Sequence, residues 1–296
     1  MGRTLQEKAI LDGFNQALFY KDGKIVGQIV LGDAEEVMLS LPSSCLDMLY
    51  LDPPFFTNRV LSRQTASLTF NDRWKGLDEY VNWLERQIRA AYRVLSDRGV
   101  IFLHMDWHAV HYARIVMDRI FGYNHFLNEI IWVYKTGGTG RRHFSRKHDN
   151  ILLYSKTGRH SFFPQKEKSY VKYRYGFSNV DIKRDAAGHY TMVNCRDVWD
   201  IPALRGNHPE YLSYPTQKPI ALLERMVLST TLSGKRVGDL FCGSGTGAFA
   251  SILHGRRCFA VDSSPEAWYM TSRRISSLAD RTTYGTFDQF LLDGDD

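Results

Sequence analysis

The sequence predicts an α/β protein built around a doubly wound, mostly parallel β-sheet. Short apolar runs that are typical of buried strands alternate along the 296 residues with helix-like amphipathic segments. This alternation is the pattern of a parallel sheet covered by helices. Two of the runs end abruptly, one at residues 52–55 and the other at residues 241–247. Such sheets bind ligands at the carboxyl ends of their strands, so these two segments are the first candidates for a site.

The first half of the chain predicts three strands and three helices. The strands are predicted at 28–31, 46–51 and 100–103, and the helices at 34–39, 77–95 and 108–121. The helix 77–95 has the clearest pattern, because Val81, Leu84, Ile88 and Ala91 recur at helical spacing. Residues 1–22 are predicted to form an irregular or helical N-terminal segment. The polar segment 58–74 is predicted to be a long mobile loop.

The second half predicts four strands and two helices. The strands are predicted at 128–134, 150–154, 236–240 and 258–261, and the helices at 222–229 and 248–253. Residues 156–212 have little periodicity and are rich in charged and aromatic side chains. Lys and Tyr alternate between residues 168 and 175, which fits either contact with phosphates and bases or an exposed strand.

Positive charge is concentrated in the middle of the chain. The net charge is +6, and residues 135–184 contain thirteen Lys or Arg but only three acidic residues, so the remainder is net negative. A concentrated basic segment on an otherwise acidic protein is typical of a polyanion-binding surface, although a solvated loop region is the alternative. The candidate contacts to nucleic acid are Lys135, Arg141, Arg142, Arg146, Lys147, Lys172 and Arg174.

Several classes of protein are disfavoured by composition. No apolar run approaches the ~20 residues that span a bilayer, and the charged N-terminus lacks the pattern of a signal peptide. The four cysteines have no Cys-x-x-Cys spacing, so neither a disulfide framework nor a zinc site is indicated, and we expect no metal. The protein is expected to be cytoplasmic, and nucleoid-associated if it binds DNA.

The segment Asp52-Pro53-Pro54-Phe55 follows the apolar run 46–51. Proline cannot continue a strand ladder, so the strand must stop and leave a rigid loop at its carboxyl end. That loop presents a carboxylate, a proline carbonyl and an aromatic face, which together could hold a planar amine by two hydrogen bonds and stack on its ring. Phe56 could form a second wall or belong to the core, and the whole segment could also be a simple strand-ending turn.

The glycine-rich segment 241–247 follows a predicted strand and precedes a predicted helix. It lacks the lysine of a phosphate-binding loop and the glycine spacing of a dinucleotide fingerprint. The remaining candidate is a nucleoside-type ligand with little or no phosphate. Asp262 ends the next strand, twenty-three residues after Asp239, where a carboxylate can reach a ribose diol. A glycine-rich helix start without a ligand is the alternative.

Three segments together resemble one family, the β-class DNA amino-methyltransferases of restriction–modification type. Residues 52–55 resemble its catalytic motif, residues 241–247 its S-adenosylmethionine motif, and residues 214–219 the segment preceding that motif. The catalytic motif precedes the cofactor motif by 186 positions, as in the circularly permuted class. The resemblance implies a Rossmann-like methyltransferase domain formed by residues 1–135 and 212–296, with a target-recognition insert at 136–211 that includes a returning strand near 150–154.

The resemblance also assigns roles to individual residues. Asp52, Pro53, Pro54 and Phe55 are expected to be catalytic. The expected cofactor-binding residues are Asp33 near the adenine, Asp262 at the ribose, Thr216 and Lys218, and, beside the methionine part, Asp239, Phe241, Cys242, Gly243, Ser244, Gly245, Thr246 and Gly247. Gly247 departs from the family, in which threonine is frequent, and Phe55 stands where tyrosine is commoner.

The sequence thus predicts transfer of a methyl group from S-adenosylmethionine to N6 of adenine in double-stranded DNA, after base flipping. Aspartate at the first motif position favours adenine, and N4 of cytosine is the alternative. RNA methylation, protein-glutamine methylation and a catalytically silent DNA-binding protein are further alternatives. Members of this class are often dimers, so a homodimer is compatible with the resemblance.

Overall fold

The computed structural model describes residues 14–57, 60–63, 66–135, 140–170 and 181–285. The strands are β1 (Asn15–Lys21), β2 (Lys24–Leu31), β3 (Leu46–Leu51), β4 (Val60–Arg63), β5 (Ala66–Asn71), β6 (Leu95–Met105), β7 (Phe126–Val133), β8 (His148–Ser155), β9 (Lys166–Tyr170), β10 (Lys183–Asp185), β11 (Gly188–Asn194), β12 (Val198–Asp200), β13 (Arg236–Asp239), β14 (Arg257–Asp262) and β15 (Arg281–Gly285). The helices are α1 (Ala34–Ser40), α2 (Leu77–Val94), α3 (Val110–Phe121), α4 (Ile220–Thr230), α5 (Thr246–Leu253) and α6 (Pro265–Ser276).

Ten of these strands form one sheet in the order β12-β7-β8-β6-β3-β13-β14-β2-β1-β15. The five central strands, from β6 to β2, are mutually parallel. Antiparallel pairs extend the sheet through β8 and β7 on one side and through β1 and β15 on the other. The predicted α/β fold with a mainly parallel central sheet is therefore confirmed.

Helices cover both faces of the sheet. Leu49 and Leu51 of β3 pack in the core that includes α1, α2 and α3, whereas Met48 and Tyr50 pack in the core beneath α4. Helix α2 buries Leu84 and Ile88 completely, and burying one such side chain is worth about 1.5–3 kcal/mol relative to leaving it exposed. Helices α5 and α6 complete the second face.

Three predictions along the chain differ from the structure. Residues 15–21, expected to be irregular or helical, form β1, because Ala17, Leu18 and Phe19 are buried between β2 and β15. The expected loop at 58–74 contains the antiparallel pair β4–β5. The weakly periodic region 156–212 contains the small sheet β10-β11-β9, whose strands are exposed or half-buried throughout and so lack an apolar pattern.

The permuted order of the segments brings the two candidate motifs together. Strands β3 and β13 are parallel neighbours, with Tyr50 opposite Asp239. Parallel neighbours end at the same edge of a sheet, so the segment after β3 and the segment after β13 lie side by side. Across the described parts of the chain, none of the helices is long and apolar enough to cross a membrane.

Candidate active site

One narrow cleft opens at the carboxyl edge of β3 and β13. The sequence-predicted residues that line it are Asp52, Thr216, Lys218, Asp239, Phe241, Cys242, Gly243, Ser244, Thr246 and Gly247. Tyr50, Tyr214 and Leu223 complete the lining. The cavity volume is about 30 Å³, room for about one water molecule, so a larger ligand requires side chains at the mouth to move.

The carboxylate of Asp52 has two unlike oxygens. Lys218 Nζ lies 2.5 Å from Asp52 Oδ2, and both side chains are largely buried. Asp52 Oδ1 is buried as well, yet no hydrogen bond from the described residues reaches it. A buried carboxylate oxygen without a donor is costly, so Oδ1 is the oxygen available to a ligand N–H.

The two prolines and Phe55 form a rigid wall beside this carboxylate. The Tyr80 hydroxyl donates to the Pro54 carbonyl at 2.8 Å, which fixes the loop after Pro53. The Phe55 ring stacks on His104 with a centroid distance of 5.8 Å and an interplanar angle of 25°. Lys218 Nζ lies 5.6 Å from the centre of the same ring.

Phe56 belongs to the scaffold of this loop. Its ring packs against Tyr80 at 5.2 Å, within the aromatic group that also contains Trp74. The backbone of Phe56 has φ +63°, a conformation that costs a non-glycine residue on the order of 1–3 kcal/mol. Asp72 compensates by accepting hydrogen bonds from the backbone N–H groups of Phe56 and Thr57.

The glycine-rich turn has two positions that require glycine. Gly245 adopts the left-handed conformation (φ +73°) immediately before α5. A Cβ on Gly247 would lie 2.4 Å from Asp239 Oδ2. The absent side chain therefore lets the first turn of α5 approach the Asp239 carboxylate, and Cys242 is buried beneath the turn.

Asp239 is a buried carboxylate beside the start of α5. Burial, followed by the nearby charges of Asp52 and Asp262, raises its pKa to about 8, and the backbone N–H groups of Ala248 and Gly247 partly oppose this effect. Its Oδ1 atom is buried and accepts no hydrogen bond from the described residues. A cation placed beside this carboxylate would stabilise its ionised form.

Asp262 links the end of β14 to the turn. Its Oδ2 accepts from the Gly243 backbone N–H at 2.8 Å and its Oδ1 from Ser264 at 2.9 Å. Burial raises the pKa of Asp262 although these backbone hydrogen bonds lower it. The carboxylate is thus held in a fixed orientation, and each oxygen retains a second lone pair.

The segment 214–219 closes the cleft from the opposite side. The Thr246 hydroxyl donates to the Lys218 carbonyl at 3.0 Å, which joins this segment to the glycine-rich turn. Arg274 of α6 donates to the same hydroxyl and to the Ser244 carbonyl. Thr216 lines the cleft next to Lys218.

Asp33 lies at the same edge of the sheet but outside this cleft. It follows β2, whose Leu31 is paired with Asp262. Its exposed carboxylate caps α1 by accepting from the backbone N–H groups of Glu35 and Glu36 at 2.9 and 3.2 Å. The structure therefore gives Asp33 a capping role, one strand away from Asp262.

Sequence reasoning missed a buried polar network beside Asp52. The Nδ1 atom of His104, at the end of β6, lies 2.9 Å from the Tyr50 hydroxyl. The Nε2 atom of the same ring lies 3.2 Å from Asp149 Oδ2. The Tyr134 hydroxyl donates to the other oxygen of Asp149. The only signal in the sequence is a histidine directly after an apolar strand, and Asp149 comes from a distant segment.

The basic residues before β8 are exposed at the same edge of the sheet. Lys135, Arg141, Arg142 and Arg146 are exposed and Lys147 is half-buried, whereas Lys172 and Arg174 lie outside the described residues. The Arg146 guanidinium stacks 3.5 Å from the ring centre of Trp107, which follows β6. Phe144 is 98% exposed among these cations.

The polar groups in and beside the cleft fit S-adenosylmethionine. Asp262, which is not part of the cleft lining, keeps acceptor capacity that suits hydroxyl groups, and the unsatisfied Oδ1 of Asp239 suits an ammonium group. The glycine-rich turn allows close approach of a ligand to the backbone, and neither a lysine nor an arginine follows it to bind a phosphate. These features match an uncharged ribose and an amino acid moiety in one ligand.

Comparison with known proteins agrees with this fit. The chain is 32% identical over 240 residues to the type II methyltransferase M.BglII of Bacillus subtilis, covering 75% of this chain and 61% of that protein. It is 26% identical over 251 residues to the DNA adenine methyltransferase YhdJ of Escherichia coli, covering 83% and 82% of the two chains. The chain therefore spans less than two thirds of M.BglII but most of YhdJ.

Solved structures share the fold at low sequence identity. The cytosine-N4-specific PvuII DNA methyltransferase has a TM-score of 0.59 at 17% identity, covering 85% of this chain and 86% of its own. The complex of M1.HpyAVI with S-adenosylmethionine has a TM-score of 0.55 at 19% identity, covering 83% and 98%. A family model described as DNA methylase, of the N6/N4 methyltransferase type, matches residues 46–273, and the chain belongs to this DNA methylase family.

Proposed function

We propose that this protein methylates N6 of adenine in double-stranded DNA, using S-adenosylmethionine as the methyl donor. The observation that carries the proposal is the adjacency of two motifs at one sheet edge. Asp52, with a buried oxygen that lacks a donor, follows β3, and the glycine-rich turn follows β13 beside it. This arrangement holds an amine and a methyl donor in one cleft. S-adenosylmethionine supplies an electrophilic methyl group carried by a sulfonium.

Three carboxylates each bind a different part of the two substrates. Asp262, held by two backbone N–H groups, accepts the ribose hydroxyls. Asp239 faces the amino acid end of the donor, where an ammonium group neutralises its buried charge. Asp52 is left for the substrate amine. Each carboxylate ends or follows a different strand, β14, β13 or β3, so the sheet fixes their spacing.

The amine of adenine is a weak nucleophile because its lone pair is delocalised into the ring. Asp52 Oδ1 and the Pro53 carbonyl accept its two N–H bonds, so the nitrogen can become pyramidal and direct its lone pair toward the methyl group. Lys218 binds only Oδ2 and thereby turns Oδ1 toward the substrate. Catalysis then depends mainly on positioning and electrostatics.

The target base must leave the duplex to reach this cleft, which costs a few kcal/mol. Phe55 recovers part of this cost by stacking on the flipped base, an interaction typically worth ~1–3 kcal/mol. Residues 136–211 form the recognition insert, and its exposed cations before β8 contact the phosphates beside the cleft. Phe144, exposed among them, is positioned to be covered by the bound duplex.

Aspartate as the first residue of the catalytic segment favours adenine over cytosine, and the similarity to YhdJ, named as an adenine methyltransferase, agrees. N4 of cytosine is the second candidate, because the PvuII enzyme of the same fold is named as cytosine-N4-specific. Both products come from the same chemistry on an exocyclic amine, so only the product distinguishes them.

The test is methylation of duplex DNA by the purified protein, followed by digestion to nucleosides and mass spectrometry. N6-methyladenine is the expected product, and N4-methylcytosine would overturn the choice of base. Asp52→Ala should abolish transfer while S-adenosylmethionine binding, measured by calorimetry, stays within about threefold of wild type. An active Asp52→Ala variant, or transfer to RNA but not to duplex DNA, would contradict the proposal.

A further inference from the structure

We propose that His104, backed by Asp149, receives through Asp52 the proton that the target amine loses on methylation. The inference rests on the proposed function and adds a positioning residue that acts through Asp52. It follows from a buried chain of polar groups that leads from the substrate side of Asp52 to the far side of β8. The mechanism described so far leaves this chain without a use.

The geometry places His104 directly behind the substrate-facing oxygen. His104 is completely buried, and its Nδ1 lies 4.0 Å from Asp52 Oδ1. Its Nε2 lies 3.2 Å from Asp149 Oδ2. A carboxylate shift of about 1 Å brings Oδ1 into the usual hydrogen-bond range of Nδ1. Oδ1 accepts no hydrogen bond from the described residues, so the shift breaks none of theirs.

The surroundings define which nitrogen of His104 is basic. Burial by itself would raise the pKa of Asp149, but the hydrogen bond and charge of His104, together with Lys218 and Tyr134, lower it. The ionised Asp149 therefore accepts from Nε2–H. Burial, followed by the charges of nearby carboxylates, raises the pKa of Tyr50 far above its ordinary value, so its hydroxyl stays protonated and can donate to Nδ1. In the neutral ring that donates Nε2–H to Asp149, Nδ1 carries the lone pair on the Asp52 side.

The proton balance is simple. The N–C bond to the methyl group forms as the S–C bond breaks, and the substrate nitrogen gives up one proton to Asp52 Oδ1. That proton moves to His104 Nδ1 while the Tyr50 hydroxyl turns away, which leaves an imidazolium between two carboxylates. When the methylated base has left the cleft, the same proton returns through Asp52 Oδ1 to water, which restores the lone pair on Nδ1 and keeps the proton on Nε2 for another turnover.

Lys218 explains why Asp52 cannot keep the proton. With its ammonium 2.5 Å from Oδ2, a neutral Asp52 would leave a largely buried cation without its counter-ion, which is costly. The titratable groups around His104 are Tyr50 and Asp52 from β3 and its loop, Asp149 from β8, Tyr134 after β7, Asp106 after β6, and Lys218 beyond Asp52. Three of these six groups are carboxylates and one is a cation.

A purely structural role is the competing explanation, because the His104 ring also packs against Phe55 and edge-on against Trp132. His104→Phe keeps an aromatic ring there and removes both nitrogens. Asp149→Asn keeps the shape and removes only the charge. Trp132→Phe is the packing control, since it alters the ring that lies edge-on against His104 but removes no group that must carry the proton.

The test measures kcat and KM on duplex DNA, together with binding. His104→Phe should lose at least about tenfold in kcat while KM stays within about threefold of wild type, because the relay acts in the chemical step and not in binding. Asp149→Asn should also lower kcat with KM unchanged, because the imidazolium formed in each turnover loses a stabilising charge. Trp132→Phe should stay within about threefold of wild type in both quantities.

Two further readouts do not depend on turnover. Nitrogen NMR of the protein without S-adenosylmethionine or DNA should show a proton on His104 Nε2, where Asp149 accepts it. Calorimetry with S-adenosylmethionine, and 2-aminopurine fluorescence of a flipped base, should give wild-type values for His104→Phe. If wild type methylates DNA while His104→Phe retains its kcat, the relay is wrong and the proposed function stands. If wild type does not methylate duplex DNA, the proposed function itself fails.

Discussion

Asp239→Asn should stabilise the ligand-free protein at alkaline pH and impair donor binding. Asp239 is buried, and burial with the charges of Asp52 and Asp262 raises its pKa to about 8. In an unfolded chain an aspartate titrates near 3.9. Because the pKa is higher in the folded state, the protonated carboxyl favours folding at low pH. That contribution declines above about pH 4 and is lost as the pH rises through 8.

The magnitude follows from the linkage relation. Each pH unit in the interval where only the folded state holds the proton changes the free energy of unfolding by about 1.4 kcal/mol. Between pH 6 and pH 9 the titration of Asp239 therefore lowers the free energy of unfolding of wild type by roughly 3 kcal/mol. The amide of the Asp239→Asn variant does not titrate, so the difference in stability between the variant and wild type should grow by about that amount. Other titrating groups are common to both proteins and cancel in the difference.

Urea denaturation of both proteins at pH 6, 7, 8 and 9, without donor, measures this difference. Calorimetry at pH 7 in buffers of different ionisation enthalpy should show that wild type releases a proton as S-adenosylmethionine binds, because the incoming ammonium favours the ionised Asp239. The variant should bind at least tenfold more weakly and release no such proton. A stability difference that is constant from pH 6 to pH 9 would refute the reasoning.

Four other changes test separate parts of the protein. Gly247→Ala should weaken S-adenosylmethionine binding at least tenfold in calorimetry, because its Cβ would lie 2.4 Å from Asp239 Oδ2; unchanged affinity would mean that α5 can retreat freely. Phe55→Ala should reduce kcat on duplex DNA by about tenfold, corresponding to ~1–3 kcal/mol of lost stacking, with donor affinity unchanged; an equal loss in donor affinity would place Phe55 at the cofactor instead. Changing Arg141, Arg142 and Lys147 together to Ala should lower the slope of log K against log[salt] for DNA binding by about 2–3 units, and an unaltered slope would move the DNA face elsewhere. Phe144→Ala should weaken DNA binding without changing that slope.

The central sheet could be predicted because its strands are buried on both faces and therefore appear as continuous apolar runs. Helix α2 was predicted almost to the residue, since its buried stripe is long and regular. Strand β1 was missed because a short run beginning with Asn15 and Gln16 resembles a polar lead-in, although Gln16 is buried. The alternation of Lys and Tyr allowed an exposed strand where β9 ends, but β10 and β11 were not predicted because neither face of this small sheet is apolar enough to give a pattern.

Within the site, the glycine-rich turn and the segment 52–55 could be predicted because their chemistry is local. Asp33 was predicted from its position at a strand end and also caps α1, and its role at the cofactor stays a prediction. The contact of Lys218 with Asp52 joins residues 166 positions apart. His104 and Asp149 likewise meet only because β6 and β8 pair in the folded sheet, and no local pattern encodes that pairing.

The adjacency of β3 and β13 has a consequence for how the protein becomes competent during synthesis. Asp52 leaves the ribosome early, but its neighbours Asp239 and Asp262 are made 187 and 210 residues later. The central strand position between β3 and β14 stays empty until then, so the sheet cannot close over a donor molecule. Contacts of such long sequence separation form late, and domains of this size commonly pass through partly ordered intermediates. We therefore expect affinity for S-adenosylmethionine to appear only when the last strands have joined the sheet.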